Sequence, residues 1–549
     1  MTAFFLLLCS TAVSMLVIPL ACRIAPRIGM VDQPDPRKVH KAPVPRVGGW
    51  GIVAGALVPL AFLGYSDPLL QSFIAGALVL FIFGTWDDAR QISHWPKFAG
   101  QIAAVALVVF WGDLYVTRLP FLDGDALSPL AGQLFTLVAM VGVINAINHS
   151  DGLDGLAAGE TLLSLIAVGF LGYLTSARLV TDLALVTIGG IIGFLRYNTH
   201  PARVFMGDSG SQVLGFTTAF LVVYLVQKAH TAASAALPLL LLGLPIADII
   251  AVLYQRVRGR MNWFKATRNH VHHRLLDLGF SHYQSVVLIY SLQAGLVTAA
   301  VLLRYAADLA VVATYFGVIL ALFALLVLAE RSGWRLAHAS RVRWASLSAW
   351  IGGVRRNASV QTTFVWAIAL AVSGLILFAV FRSGTVPRDF GVLAAVATLL
   401  VLLTIASRRD FRNLALHLAV YVTVAFATYL LTTYPEGASA RQMAGFGAAI
   451  LVLAVVLGVF VRFLSDERFG TTPTDYLVGF ALLAMLAFGV LGNQNFAASA
   501  LLRFVTFSVV LFYACEVVIG YLKRWRSVLG SASLVALMVV AVRGLSTGI

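Results

Sequence analysis

Long apolar runs recur along the whole chain and are separated by short polar connections. Each run is about 18 to 22 residues long, which is what an α-helix needs to cross the hydrocarbon core of a bilayer. The pattern predicts an all-α polytopic integral membrane protein, with about eleven transmembrane helices before residue 330 and about seven after it. The apolar start, residues 1–20, lacks a basic leader and a small-residue cleavage site, so we interpret it as the first span.

Composition agrees with this class and narrows the partners. The chain has 549 residues, of which 60% are hydrophobic and 11% are charged, and its net charge is +15. The Lys and Arg residues concentrate in the connections between spans, where membrane orientation and anionic lipid explain them, so we expect no nucleic acid partner. The three cysteines, Cys9, Cys22 and Cys515, have no metal-ligand spacing, which argues against a zinc site or a disulfide framework.

The most polar stretch between two apolar runs is Asn145-Ala-Ile-Asn148-His-Ser-Asp151-Gly-Leu-Asp154-Gly. Carboxylates three residues apart at the start of a helix lie on one face, so Asp151 and Asp154 can converge on one cation or one proton. The alternative is an ordinary polar loop with a helix N-cap, because Asn and Asp are favoured there. The stretch predicts residues that line an active site at a membrane surface.

A second acidic motif, Asp87-Asp88, ends the third predicted span. The helix dipole does not stabilise adjacent carboxylates at a C-terminus, so another group should hold them there. A cation is the simplest candidate, and a solvated turn is the alternative.

Counting spans places further polar segments on the same side of the membrane as these acids. The excess of Lys and Arg on that side predicts that it faces the cytoplasm. Prolines prevent a continuous helix in the first of these segments. The segments are the basic loop 23–46, the glycine-rich segment 198–211 and the basic loop 256–282.

This collection of side chains indicates phosphoryl transfer. Carboxylates suit Mg²⁺, which takes one or two acids plus substrate phosphates, while arginines and histidines suit phosphate oxygens. We expect a nucleotide-linked donor and a lipid acceptor. The histidines could instead bind a transition metal, but the thiols typical of such sites are absent from the cluster.

Five motifs together closely resemble the polyprenyl-phosphate N-acetylhexosamine-1-phosphate transferases, the WecA/TagO/MraY family. They occur in the family's order within about residues 1–330. They are Arg37-Lys38-x-His40 with Arg46, Asp87-Asp88, Asn145-x-x-Asn148-x-x-Asp151-Gly-Leu-Asp154, Asn198 through Asp208 to Ser211, and His270-x-His272-His273-Arg274.

The resemblance implies transfer of a sugar 1-phosphate from a UDP-N-acetylhexosamine to undecaprenyl or another polyprenyl phosphate. UMP is released, and Mg²⁺, or alternatively Mn²⁺, is the cofactor. The product is the first lipid-linked sugar of a cell-envelope glycan such as the O-antigen. The implied location is the bacterial cytoplasmic (inner) membrane, with the active site facing the cytoplasm.

The resemblance also implies roles for individual residues. Asp208 is the principal metal ligand, with Asn148 nearby. The catalytic group comprises Asp87, Asp88, Asp151, Asp154 and His270. The substrate-binding group comprises Lys38, Arg46, Asn145, Asn148, Asn198, Ser211, His272, His273 and Arg274.

The spaced histidines resemble the WecA/TagO branch, which favours a UDP-N-acetylhexosamine over a peptide-bearing donor. Family members often carry an acid shortly before the first histidine, whereas this chain reads Ala266-Thr267-Arg268-Asn269. GlcNAc is therefore the default sugar, and deoxy or di-N-acetylated sugars stay open.

The rest of the chain matches no family known to us. We divide the chain into a transferase domain (1–330), a basic, Trp-containing linker (331–360) and a C-terminal polytopic domain (361–549). Glu516 and His417 fall inside apolar runs there, where a paired structural role is favoured over a functional one. A transporter or flippase of an anionic lipid-linked sugar is the rival function, although transporters place coupling residues near the midplane. The sequence leaves a homodimer open.

Overall fold

The computed structural model describes residues 2–34, 43–61, 67–122, 127–260, 269–336, 358–406, 409–461, 477–480, 500–522 and 524–547. Within these residues the regular secondary structure is helical apart from one pair of two-residue strands, and fourteen helices are long and apolar enough to cross a membrane. The predicted fold class, an all-α polytopic membrane protein, is confirmed. The described chain forms two compact units, residues 1–338 with 472–492, and residues 339–471 with 493–549.

The first unit contains twelve described helices. They are α1 (Thr2–Ile24), α2 (Gly48–Ala61), α3 (Pro68–Arg90), α4 (His94–Ala106), α5 (Pro129–Ser150), α6 (Leu156–Leu174), α7 (Arg178–Asn198), α8 (Asp208–Tyr224), α9 (Leu237–Arg258), α10 (Val271–Asp277), α11 (His282–Leu302) and α12 (Asp308–Arg331). All except the short α10 coincide with predicted apolar runs. Helix α2 has 14 residues, fewer than a full span requires.

Several helices begin where the sequence carries a start signal. Asp67 and Ser128 each precede a proline and accept a hydrogen bond from a backbone N–H in the first turn of α3 and α5. Ser281 and Gln284 form a reciprocal capping box at the start of α11. Local sequence therefore fixes these boundaries.

Helix α8 lies at the centre of the first unit. Its apolar segment is 89% buried within the protein, compared with 22% for α12, which lies at the periphery. A Cβ atom on Gly49 would come within 2.3 Å of the backbone nitrogen of Gly210, so α2 and α8 touch backbone to backbone. On another side Phe216 stacks on Phe73 of α3, with ring centroids 5.6 Å apart.

A strand pair brings the proline-rich loop to the segment that precedes α8. Strand β1 (Val31–Asp32) pairs antiparallel with β2 (Val44–Pro45). The Phe205 N–H donates to the Pro45 carbonyl at 2.8 Å, and the Gly48 N–H donates to the Phe205 carbonyl at 2.9 Å. The start of α2 and the approach to Asp208 are thereby held together.

The second unit contains six described helices, which are α13 (Ala358–Arg382), α14 (Arg388–Ala406), α15 (Arg409–Thr433), α16 (Ala440–Val459), α17 (Ala500–Tyr521) and α18 (Ser531–Thr547). The Tyr421 hydroxyl donates to the Glu516 carboxylate, and Thr428 and Ser508 share a hydrogen bond of 2.7 Å. His417 packs its ring against Trp525. Glu516 and His417 thus both contact side chains of this unit.

The predicted domain limits at 330 and 360 stay a prediction, because residues 337–357 of the linker lie outside the described residues. The described residues 477–480 are grouped with the first unit, where Leu477 lies in the apolar core and Phe480 packs against it. The division of the chain is thus not purely sequential.

Candidate active site

The N-terminus of α8 is capped by a carboxylate from another helix. Asp88, at the end of α3, accepts hydrogen bonds from the backbone N–H groups of Asp208, at 2.8 Å, and Ser209, at 3.0 Å. Gly207 precedes them with φ of +74°, and a Cβ there would lie 2.6 Å from an Asp88 oxygen. The charge of Asp88, unfavourable at the end of its own helix, therefore lies at the positive end of α8.

The carboxylates of Asp87 and Asp208 both face the ammonium group of Lys97. The Lys97 Nζ atom lies 2.5 Å from Asp87 Oδ2 and 2.7 Å from Asp208 Oδ2. The second oxygen of Asp87 is buried and has no hydrogen-bond partner among the residues that the structure describes. Two carboxylates around a cation, with an acceptor to spare, fit the donor set of an oxygen-preferring ion such as Mg²⁺.

Two carboxamides from α5 line the same region. Asn148 donates to the Ser211 hydroxyl at 3.1 Å and also contacts the Asp208 carboxylate. One turn earlier, Asn145 donates to Gln101 of α4 at 2.8 Å, and Gln101 donates to Gln212 of α8 at 3.2 Å. Asn148 thus adjoins the acids, whereas Asn145 belongs to an amide network that fixes α4, α5 and α8.

The two acids between α5 and α6 have different environments. Burial, together with the charges of Asp208, Asp88 and Asp154, raises the pKa of Asp151 to about 7. Burial would also raise the pKa of Asp154, but hydrogen bonds from His200 and from the Ala202 N–H lower it below its usual value. Of the two acids, Asp151 is therefore the one whose pKa is raised by neighbouring negative charge.

Asp154 joins two loops and the start of α11. Its Oδ2 atom lies 2.6 Å from His200 Nδ1 and 3.1 Å from the Ala202 N–H, and ligand atoms of Asp154, His200 and His282 lie within 4.8 Å of one another. The two imidazoles stack with centroids 4.1 Å apart, closer than the ~5 Å that two rings on one zinc ion require. The geometry therefore indicates a hydrogen-bonded structural contact between these segments rather than a zinc site.

Asn198 lies behind the site. It is 3% exposed, accepts a hydrogen bond from the Gly155 N–H at 2.8 Å and donates to the Val204 carbonyl at 2.8 Å. Its amide is thus shared between the loop before α6 and the loop before α8. The substrate-binding role predicted for Asn198 remains untested, and its contacts suggest that it acts through the shape of these loops.

The histidine motif forms α10 and packs next to the acids. The rings of His149, His270, His272 and His273 follow one another with centroid separations of 5.5, 5.7 and 4.2 Å. The Nε2 atom of His272 is buried, has no hydrogen-bond partner within the described part of the chain, and lies 2.2 Å from where a Cβ on Gly152 would be. Gly152 is therefore needed for the close approach of this motif to the Asp151 loop.

The two arginines predicted to bind substrate form ion pairs with acidic residues of the protein itself. Arg274 binds Glu330 through two hydrogen bonds of 2.7 and 2.8 Å, and Arg46 forms an ion pair with Asp32. Lys38 and Thr267, with the surrounding residues 35–42 and 261–268, lie outside the described residues. The substrate-binding roles predicted for these side chains stay predictions.

Sequence reasoning missed Lys97, His149, His200 and Asp248. Lys97 looked like the start of an apolar run, and Asp248 lies within one. An ionisable residue inside an apolar run is the signal that could have found Asp248. Lys97 carried no comparable signal, because a basic residue at the end of a span is usually explained by the membrane interface.

Comparison with known proteins bears on the family to which the chain belongs. Residues 70–226 match the family model described as glycosyl transferase family 4. The chain is 35% identical over 278 residues to a probable undecaprenyl-phosphate N-acetylglucosaminyl 1-phosphate transferase of Bacillus subtilis (strain 168), covering 50% of this chain and 78% of the relative.

Two further relatives have similar coverage. The undecaprenyl-phosphate alpha-N-acetylglucosaminyl 1-phosphate transferase of Escherichia coli (strain K12) is 31% identical over 292 residues, which is 52% of this chain and 79% of that protein. The decaprenyl-phosphate N-acetylglucosaminephosphotransferase of Mycobacterium tuberculosis (strain ATCC 25618 / H37Rv) is 32% identical over 305 residues, which is 49% of this chain and 74% of that protein. The chain therefore belongs to glycosyl transferase family 4, the polyprenyl-phosphate N-acetylhexosamine-1-phosphate transferases whose motifs it carries.

Proposed function

We propose that the protein transfers N-acetylglucosamine 1-phosphate from UDP-GlcNAc to undecaprenyl phosphate and releases UMP. The observation that carries the proposal is that the carboxylates of Asp87 and Asp208 both contact the Lys97 ammonium group at the N-terminus of α8. Carboxylates that hold a divalent cation suit a diphosphate donor, because such an ion binds substrate phosphates together with one or two acids. The relatives' names support the sugar and the lipid acceptor.

The cation that we propose is Mg²⁺, with Mn²⁺ as a substitute. Asp208 and Asn148 would hold it, and Asp87 would contribute its buried second oxygen, which no described residue hydrogen-bonds. When bound, such an ion neutralises charge on phosphate oxygens. Lys97 already places one positive charge between the two acids, and this arrangement supports the proposal that their carboxylates share a cation.

The reaction is a single displacement at the sugar-attached phosphorus of the donor. An oxygen of undecaprenyl phosphate forms the new P–O bond, and the bond from that phosphorus to the bridging oxygen breaks. UMP leaves with the bridging oxygen, so no proton acceptor is needed at neutral pH. The protein contributes positioning and charge compensation, which account for most of the catalysis in phosphoryl transfer.

The site belongs at the cytoplasmic membrane surface of a bacterial inner membrane. Asp88 ends α3, Asp151 follows α5 and Asp208 begins α8, so the acids occupy helix ends. The basic residues of neighbouring loops favour the cytoplasmic side. Acids at helix ends also fit an enzyme better than a transporter, whose coupling residues lie near the midplane. The product would begin a cell-envelope glycan.

The test is UMP release by the purified full-length protein with a panel of UDP-sugars, with and without undecaprenyl phosphate. We expect release with UDP-GlcNAc, dependent on the lipid and on Mg²⁺, and none from the matched variant Asp208→Asn. If UMP were released only with a different UDP-sugar, the assignment of UDP-GlcNAc as the donor would be wrong. No lipid-dependent release from any member of the panel would overturn the reaction.

A further inference from the structure

The side chain of His270 is held by a buried carboxylate on α9. His270 Nδ1 lies 2.7 Å from Asp248 Oδ2, and the other oxygen, Oδ1, accepts a hydrogen bond from the Val271 N–H at 2.8 Å. His270 and Asp248 are only 7% and 8% exposed. The backbone N–H fixes the plane of the carboxylate, and that carboxylate in turn fixes the imidazole.

The rings of two further histidines lie next to the imidazole and nearly parallel to it. The ring of His149 stacks on His270 at 5.5 Å with an interplanar angle of 24°, and the ring of His272 lies at 5.7 Å with an angle of 9°. His149 directly follows Asn148, which contacts Asp208 and Ser211. The imidazole of His270 is therefore oriented beside the end of α5 that adjoins the acids.

The hydrogen-bond pattern selects one tautomer. A carboxylate that faces Nδ1 accepts a hydrogen, so Nδ1 carries it. The structure shows no hydrogen bond from Nε2 to any residue that it describes. Nε2 is thus the atom left for a ligand, and the carboxylate determines which nitrogen that is.

We propose that Asp248 is a positioning residue for transfer: it fixes the Nδ1–H tautomer and the orientation of His270, whose Nε2 then contacts the diphosphate of the UDP-sugar. The inference rests on the proposed function. Asp248 itself touches no substrate and acts only through His270.

The experiment compares Asp248→Asn, His270→Gln and the double variant in the full-length protein, with UMP release from UDP-GlcNAc and undecaprenyl phosphate as the readout. Asparagine can still accept from the Val271 N–H, but it presents an N–H to Nδ1 and moves the imidazole hydrogen to Nε2. We expect kcat to fall about 10- to 100-fold, with KM for UDP-GlcNAc changed less than about threefold.

Non-additivity separates positioning from a merely structural role. In the His270→Gln background, Asp248→Asn should cost less than about twofold, because the group through which it acts is gone. The matched control is Asp182→Asn, which removes another buried carboxylate, paired with Arg178 at the far end of α7, and should leave kcat unchanged.

Multiplicative losses in the double variant, or wild-type kcat in Asp248→Asn, would overturn the proposal. If Asp248→Asn does not fold, Asp248→Glu keeps the charge on a longer side chain and should retain part of kcat. Failure of both to fold would assign Asp248 to the fold alone and would also overturn it. A wild-type protein without UMP release would instead refute the proposed function, so the two failures are distinguishable.

Discussion

The carboxylate of Asp88 accepts a hydrogen bond of 2.8 Å from the backbone N–H of Asp208, so a residue at the end of α3 caps the first turn of α8. The second oxygen of Asp88 accepts from Ser209. Each oxygen of this carboxylate therefore serves one of the free N–H groups at the start of α8.

Asp88→Asn should lower both stability and turnover. An amide has one acceptor oxygen, so one N–H of α8 would face an N–H₂ group, at a cost of about 1–3 kcal/mol. Asp208 would shift with the helix, and we expect UMP release to fall at least about 100-fold. Thermal unfolding in detergent and the UMP assay measure the two effects.

The control for this prediction is Asp67→Asn at the start of α3. Among the described residues, only the Leu69 N–H donates to the Asp67 carboxylate, and Asn is as good a cap as Asp when one acceptor suffices. Equal stability and equal turnover of the two variants would contradict the capping role of Asp88.

Asp208→Asn should abolish most activity because it removes a charge from the proposed cation site. We expect a loss of about 1,000-fold or more in UMP release. EDTA should abolish UMP release by the wild-type protein, and added Mg²⁺ or Mn²⁺ should restore that release. Glu516→Gln, in the second unit, is the control and should leave turnover intact. Near-native release by Asp208→Asn would exclude this residue as the main ligand.

Transfer in one displacement requires both substrates before UMP leaves. We therefore expect no exchange of labelled UMP into UDP-GlcNAc without polyprenyl phosphate. The rival is a covalent intermediate on an aspartate such as Asp87. Lipid-independent exchange would establish that intermediate and rule out the single step.

Gly152→Ala should impair turnover while leaving the fold in place. The added Cβ would lie 2.2 Å from His272 Nε2, so the histidine motif or the Asp151 loop must move. We expect UMP release to fall about 10-fold or more, since small displacements are costly in phosphoryl transfer. Gly142→Ala in α5 is the matched control, because nothing lies within 4 Å of its added Cβ. Equal activity of the two variants would show that the close approach is not required.

A chain that ends near Ala339 should still catalyse transfer if it inserts stably. Every acid and histidine of the site precedes residue 285. The truncation loses Leu477 and Phe480 from the core of the first unit, so we expect a lower melting temperature and yield. UMP release per folded molecule is the measurement. An inserted truncation without release would mean that the later residues complete the active site.

The family and the fold class could be predicted from the sequence, and both are confirmed. Apolar runs of membrane-spanning length determine helices because no other element satisfies its backbone in lipid. Caps such as Ser281 with Gln284 are equally local, and the structure places them where the pattern indicates. The polar motifs identified the acids because several carboxylates and carboxamides cluster in the short connections between apolar runs.

Only the tertiary structure decided what each motif residue contacts. Neighbouring acids Asp87 and Asp88 look equivalent in the sequence, yet one faces Lys97 and the other caps α8, because successive side chains on a helix point in different directions. Asn198 and Arg274 likewise bind partners many residues away, the Gly155 N–H and Glu330. Local sequence thus determined the elements and their chemistry, whereas long-range packing decided which side chains meet.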